Sequence, residues 1–128
     1  MAMAAMRVNT VRLYAVDPRR SHAKFMAYAE SLGIYVVLPL TGTTWGYLDA
    51  GRAAPSCYTA TVPGYGHLGA NLLWHATAVV AQFSGYPNAL AFVAANELVL
   101  HGEATNTGFG CVPCLKALVR DVHAFQSG

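Results

Sequence analysis

The sequence predicts an α/β fold with parallel strands, and two observations carry that expectation. A charge-free run, Ala89-Leu90-Ala91-Phe92-Val93-Ala94-Ala95, stops abruptly at Asn96-Glu97. Small and apolar residues at consecutive positions suit a strand buried on both faces, as in a parallel sheet. The same run also fits a turn of buried helix with Glu97 as its solvated end. The second observation is that Val8 to Leu38 reads as strand, helix and strand within roughly thirty residues. Such a βαβ unit implies parallel strands and a right-handed crossover. In barrels of parallel strands the carboxyl ends build the active site, so Asn96 and Glu97 would stand at the working mouth.

The first strand is expected over Val8–Val16, which is rich in β-branched and aromatic residues and stops at Asp17-Pro18. Ser21 is a candidate cap for the helix that follows. Phe25, Met26, Ala29 and Leu32 recur at helical spacing, and Gly33 is placed as a stop. Ile34 to Leu38 forms the second strand, and Pro39 must end it or lie at an edge. From Thr41 to Gly69 the chain is rich in Gly, Pro and aromatic residues without periodicity, among them Trp45, Tyr47, Tyr58 and Tyr65. A loop of that length in a compact fold is functional or disordered as a rule, and its aromatics argue against disorder. They pack the loop onto the rim or stack on sugar rings. Leu72, Leu73, Ala76, Val79, Val80 and Phe83 then predict a helix from about Asn71 to Phe83. Gly85-Tyr86-Pro87-Asn88 turns the chain into the opening strand. A last helix, about Val112 to Phe125, carries Leu115, Leu118, Val119 and Val122 on one face.

Composition narrows the possibilities. The 128 residues are 55% hydrophobic and 11% charged, against about a quarter charged in soluble domains. So little polar surface suggests that part of the exterior expects to be covered. The net charge of +2 is spread out, so no nucleic-acid surface is indicated. No apolar stretch approaches about 18 residues, the length of a spanning helix. The first residues lack the ordering of a signal peptide. Three cysteines, Cys57, Cys111 and Cys114, are too few and too unevenly placed for a disulfide framework. A closed eight-stranded α/β barrel takes about 250 residues, so three strands and three helices are a small open sheet or part of something larger.

Several blocks together resemble one family. Asn9 to Pro18 (NTVRLYAVDP), His22, Gly33 to Val37 (GIYVV), Tyr86 to Phe92 (YPNALAF), Asn96-Glu97 and Ala117 to Asp121 (ALVRD) follow its order and near-spacing. The chain is similar to the β-1,3-glucanosyltransferases of glycoside hydrolase family 72, glycolipid-anchored surface proteins of fungal walls and their relatives. The resemblance covers nearly all of the chain apart from the middle loop. It implies a partial (β/α)8 barrel, about strands two to four with their helices, so that residues 1–128 form an incomplete catalytic domain. It also implies a retaining transglycosylase that cleaves within β-1,3-glucan and passes a glucosyl-enzyme to another glucan instead of water. Glu97 matches the acid/base carboxyl of the family, Asn96 the neighbouring amide that binds the donor sugar, and Tyr14 the donor-site tyrosine. Arg12 shares a strand face with Tyr14 by alternation, as a structural ion pair or a substrate contact. The implied partner is β-1,3-glucan. No nucleic acid, cofactor or metal is implied, and the membrane enters only through the GPI anchor of the full-length family.

The departures are specific. Retention requires a second carboxylate about 5 Å from the first, and the family's nucleophile is a glutamate on a later strand, beyond these residues. Asp17, Asp49 and Glu103 are nearby acidic residues, all expected to be solvated loop positions. Pro39 stands where the family usually has an aspartate, and Phe25 where it usually has a disulfide cysteine. The family's signal peptide and anchor signal are not found in the sequence. The expectation is a chain that is inactive alone, with two open sheet edges that invite aggregation.

Other readings come from other residues. Cys111-Val112-Pro113-Cys114 at a helix start is the pattern of a thiol–disulfide redox site, because a helix N-terminus lowers a thiol pKa. A redox fold of that type needs further strands after the helix, however, and few residues follow. The same cysteines with His101 or His123 would make an irregular zinc site. Ordinary helix-start cysteines are the plainer reading. His22, His67 and His75 show no ligand spacing, and His75 is expected to pack on its helix. Trp45 and Trp74 read as packing residues, and Arg19-Arg20 as a solvated turn. A non-catalytic glucan-binding segment shares the resemblance without the chemistry.

Overall fold

The computed structural model describes residues 5–41, 57–58, 71–96 and 112–128. Six elements follow in order: β1 (Thr10–Arg12), α1 (Ala23–Ser31), β2 (Tyr35–Pro39), α2 (Leu72–Phe83), β3 (Ala89–Val93) and α3 (Val112–Ser127). The strands form one parallel sheet in the order β1-β2-β3. The α/β expectation with parallel strands therefore holds, including the βαβ unit.

β1 is much shorter than Val8–Val16, and Pro39 supplies the reason. On the β1 side of β2, Tyr35 N–H donates to Asn9 O at 2.8 Å and Leu13 N–H donates to Val37 O at 2.9 Å. The next bond in that two-residue cadence would run from residue 39 to Leu13 O, and proline has no N–H to give. On the opposite side the ladder continues, with Leu40 N–H donating to Val93 O at 2.9 Å. Pro39 is thus the last residue of the central strand, and it cuts short the neighbour whose bond it cannot make.

β3 pairs with β2 as Val36↔Ala89 and Val37↔Ala91, with an irregularity between them. Leu90 is the extra residue on the bulged strand and is 55% exposed. The expected burial of this run on both faces is corrected. Among the described residues β3 is an edge strand, and only one of its faces meets the helices.

That helix-covered face holds the core. Val36 and Leu38 of β2 pack with Met26 and Ala29 of α1, with Leu72, Ala76, Val79, Val80 and Phe83 of α2, and with Cys114, Leu118 and Val122 of α3. The stripe predicted on α2 is buried as expected, with Leu73 at its margin. α3 buries a narrower stripe than predicted, since Val119 is exposed and Leu115 is only partly covered. Among the described residues no helix covers the other sheet face, and Thr10, Arg12 and Tyr35 are exposed on it.

The helix ends are set locally. Asn71 caps α2, its Oδ1 accepting from Trp74 N–H at 2.9 Å. The N-cap position of α1 is His22 and not Ser21, whose Oγ meets Ala23 N–H only at 3.4 Å. Its other end closes as a Schellman motif: Gly33 N–H donates to Glu30 O and Ile34 N–H to Ala29 O, both at 2.9 Å. Gly33 has φ +67°, a backbone that glycine adopts without a side-chain clash.

Candidate functional site at the carboxyl ends of the strands

The parallel sheet sends the chain out of β1, β2 and β3 at one end, and four side chains meet there in two groups. Thr41, just past β2, donates from Oγ1 to Ala94 O at 3.1 Å, tying the exits of β2 and β3. Arg12, the last residue of β1, donates from Nη2 to Asn96 Oδ1 at 2.6 Å across 84 residues of sequence. Its guanidinium carbon also lies 4.9 Å from the centre of the Tyr14 ring, within the range of a cation–π contact. Arg12 therefore touches both Tyr14 and Asn96. Asn96 is half-buried and Tyr14 is 57% exposed. Glu97 follows Asn96 in the chain but lies outside the described residues, as do Asp49, Glu103, Trp45, Tyr47, Tyr65, His67, His101 and Cys111.

Asp17 was expected to be solvated and is not. Its carboxylate meets Arg19 Nη2 at 2.8 Å and Arg20 Nε at 3.8 Å, with its side chain 11% exposed. Hydrogen bonding from Arg19 holds the carboxyl below its ordinary pKa against the opposing effect of burial. Arg19 and Arg20 are exposed turn residues as expected, and Arg19 also folds back onto Asp17. A carboxylate engaged in this way is poorly placed to attack a sugar.

The turn that carries Asp17 is buttressed by a residue the sequence reading did not single out. Gln82 of α2 donates from Nε2 to Pro18 O at 3.0 Å and to Arg20 O at 2.9 Å. Its Oε1 lies 2.6 Å from His22 Nδ1. With Nε2 committed to two carbonyls, Oε1 is the acceptor and Nδ1 carries the proton. The His22 ring packs at 5.2 Å from Phe83. Asn88 plays a similar part at the opposite end of the sheet, donating from Nδ2 to Met26 O at 3.1 Å and to Ile34 O at 3.3 Å. A polar residue on a helix margin and another in a turn gave no periodic signal for either role.

The cysteine expectations are corrected. Cys114 is fully buried and bonded to Cys57. It is then neither a free thiolate for a Cys-x-Pro-Cys redox site nor a zinc ligand. Among the described residues no group of His, Cys, Asp and Glu side chains could hold a metal ion. Beside the disulfide, Tyr58 donates from its hydroxyl to Asp121 Oδ2 at 2.9 Å, and burial together with that carboxylate pushes the tyrosine pKa up. One segment of the middle loop is thereby fastened to α3.

Comparison with known proteins agrees with this architecture. The glucanosyltransferase profile of glycoside hydrolase family 72 matches residues 1–127. The 1,3-beta-glucanosyltransferase gas4 of Schizosaccharomyces pombe is 34% identical over 118 residues, covering 92% of this chain and 22% of that protein. The 1,3-beta-glucanosyltransferase GAS5 of Saccharomyces cerevisiae is 30% identical over 118 residues, covering 92% of this chain and 21% of that protein. Among solved structures, Saccharomyces cerevisiae Gas2p in complex with laminaripentaose superposes with a TM-score of 0.70 at 27% identity, over 98% of this chain and 24% of that one. The chain thus spans about a quarter or less of the relatives it matches. Its three parallel strands and covering helices are a portion of a (β/α)8 barrel wall, and the chain belongs to the glucanosyltransferases of glycoside hydrolase family 72.

Proposed function

We propose that these residues supply the acid/base side of a retaining β-1,3-glucanosyltransferase site. The observation that carries the reading is the Arg12–Asn96 bond, which draws the ends of β1 and β3 together beside Tyr14. In this reading Tyr14 and Asn96 hold the donor glucan. Glu97, protonated, gives its proton to the glycosidic oxygen as the bond breaks and a carboxylate attacks from the opposite side. Glu97 then takes the proton of a hydroxyl on an acceptor glucan, which displaces the enzyme and forms a new β-1,3 bond.

The attacking carboxylate must lie about 5 Å from Glu97. Asp17 is bound by Arg19, and Asp121 is bound by Arg120 and Tyr58. Family resemblance puts the nucleophile on a later strand. The 128-residue polypeptide is therefore expected to bind β-1,3-glucan without transferring it. Purified chain incubated with laminarin oligosaccharides tests this. Elongated products that vanish on Glu97→Gln would overturn the inactivity, and failure to bind laminaripentaose would overturn the glucan site.

The cellular setting follows from the same reading. A buried disulfide suits an oxidising compartment, in keeping with a glucan-remodelling enzyme of the cell surface held by a GPI anchor. No helix among the described residues is long and apolar enough to cross a membrane.

A further inference from the structure

We infer that Arg12 is a positioning residue that fixes which face of the Asn96 amide meets the glucan. The inference rests on the glucan-site reading above and deepens it. A guanidinium has donors and no acceptor, so the atom 2.6 Å from Arg12 Nη2 must be the amide oxygen of Asn96. The usual ambiguity between the oxygen and nitrogen of a side-chain amide is removed by chemistry. Arg12 takes one lone pair of Oδ1 and turns that atom toward β1, which leaves both Nδ2 hydrogens of Asn96 to meet the sugar as donors. The sugar atom it recognises is then an oxygen offering a lone pair.

The topology explains why an arginine serves here. Arg12 ends β1 and Asn96 follows β3, while β2 lies between those strands. Two strand spacings of roughly 4.8 Å each separate the outer pair, and only a long side chain bridges that gap. Tyr14 contacts the guanidinium at 4.9 Å, so the cation is restrained by an aromatic ring as well as by the amide. A lysine would carry the charge without the planar fork that satisfies both contacts. Arg12 thus acts on the substrate through Asn96, and the Tyr14 ring restrains the guanidinium that does so.

The test is made on the whole chain with two readouts. The first is the pair of side-chain amide signals of Asn96 in a 15N NMR spectrum, identified by their loss in Asn96→Asp. Arg12→Ala, and Arg12→Met, which keeps the length and packing of the stem, should shift these signals while signals remote from the site stay in place. Unchanged Asn96 side-chain signals in a folded variant overturn the inference. The second readout is laminaripentaose affinity in a double-mutant cycle. Asn96→Ala and Arg12→Met should each weaken binding by about three- to tenfold, and the double variant no further than Asn96→Ala alone. Independent, multiplying losses overturn a role exerted through Asn96. If the unaltered chain does not bind laminaripentaose, the glucan-site reading falls, and the amide signals still decide whether Arg12 holds Asn96.

Discussion

Cys57 and Cys114, 57 residues apart in sequence, are joined by a disulfide with their Cα atoms 5.3 Å apart. The bond anchors one point of the loop between β2 and α2 to the start of α3, and the Tyr58–Asp121 hydrogen bond fastens the same place a second time. Closing a loop of that length removes chain entropy from the unfolded state worth about 4 kcal/mol. Cys57→Ala is expected to lower the unfolding free energy by roughly 2–4 kcal/mol, measured by urea denaturation under non-reducing conditions. Tyr58→Phe should cost about 1 kcal/mol, which separates the two fastenings.

His75 predicts how stability depends on acid. It is 1% exposed on α2, and burial lowers its pKa from 6.5 to about 4, with the charge of Asp17 acting weakly the other way. The unfolded chain therefore takes up this proton first as the pH falls. The native state keeps its full advantage above about pH 6.5, loses it progressively down to about pH 4, and loses no more from this residue below that value. The shift corresponds to about 3 kcal/mol at most. Asp17, whose pKa is lowered by Arg19, adds a further loss only as the pH falls below the ordinary carboxylate range. Unfolding midpoints measured between pH 4 and pH 7.5 should show the His75 slope, and His75→Gln should flatten it.

Asn88 predicts a polar penalty inside the fold. Its Nδ2 serves the carbonyls of Met26 and Ile34, so α1, the start of β2 and the entry to β3 share one side chain. Asn88→Ala leaves both carbonyls short of that donor, for an expected loss of about 2 kcal/mol. Asn88→Asp removes the donor while preserving the shape and should cost at least as much. Chemical denaturation of the two variants checks whether hydrogen bonding or packing dominates.

Gly33 predicts a purely conformational cost. A Cβ added there would meet nothing within 4 Å, yet φ is +67°. Gly33→Ala should therefore destabilise by about 1 kcal/mol, with no repacking. Asn tolerates the left-handed region better than most residues, so Gly33→Asn should lie between the two in a thermal or urea melt.

Much of the architecture was legible because it is written in local repeats. The spacing of Leu72, Ala76, Val79, Val80 and Phe83 marks both the α2 helix and its buried face. Gly33 marks the stop of α1 through a backbone angle that few other residues adopt. The ordered blocks around Tyr14 and Asn96 pointed to the family because their order and near-spacing match its pattern. The extent of β1 was misread because its end depends on Pro39, a residue of another strand. The burial of β3 was misread because composition reports what a strand is made of and not how many neighbours flank it.

The sequence by itself determined the order of strands and helices, the helical stripes that make the core, and the residues that carry the family resemblance. These follow from short-range periodicity and backbone chemistry, which neighbouring residues specify. Only the tertiary structure decided that Cys114 bonds to Cys57 and not to its near neighbour Cys111, that Arg19 covers Asp17, and that Arg12 reaches over β2 to Asn96. Arg12 and Asn96 are 84 residues apart, and no local pattern encodes a meeting over that distance. The parallel register of three strands brings their ends to one place, and there the Arg12 guanidinium meets both Asn96 and Tyr14.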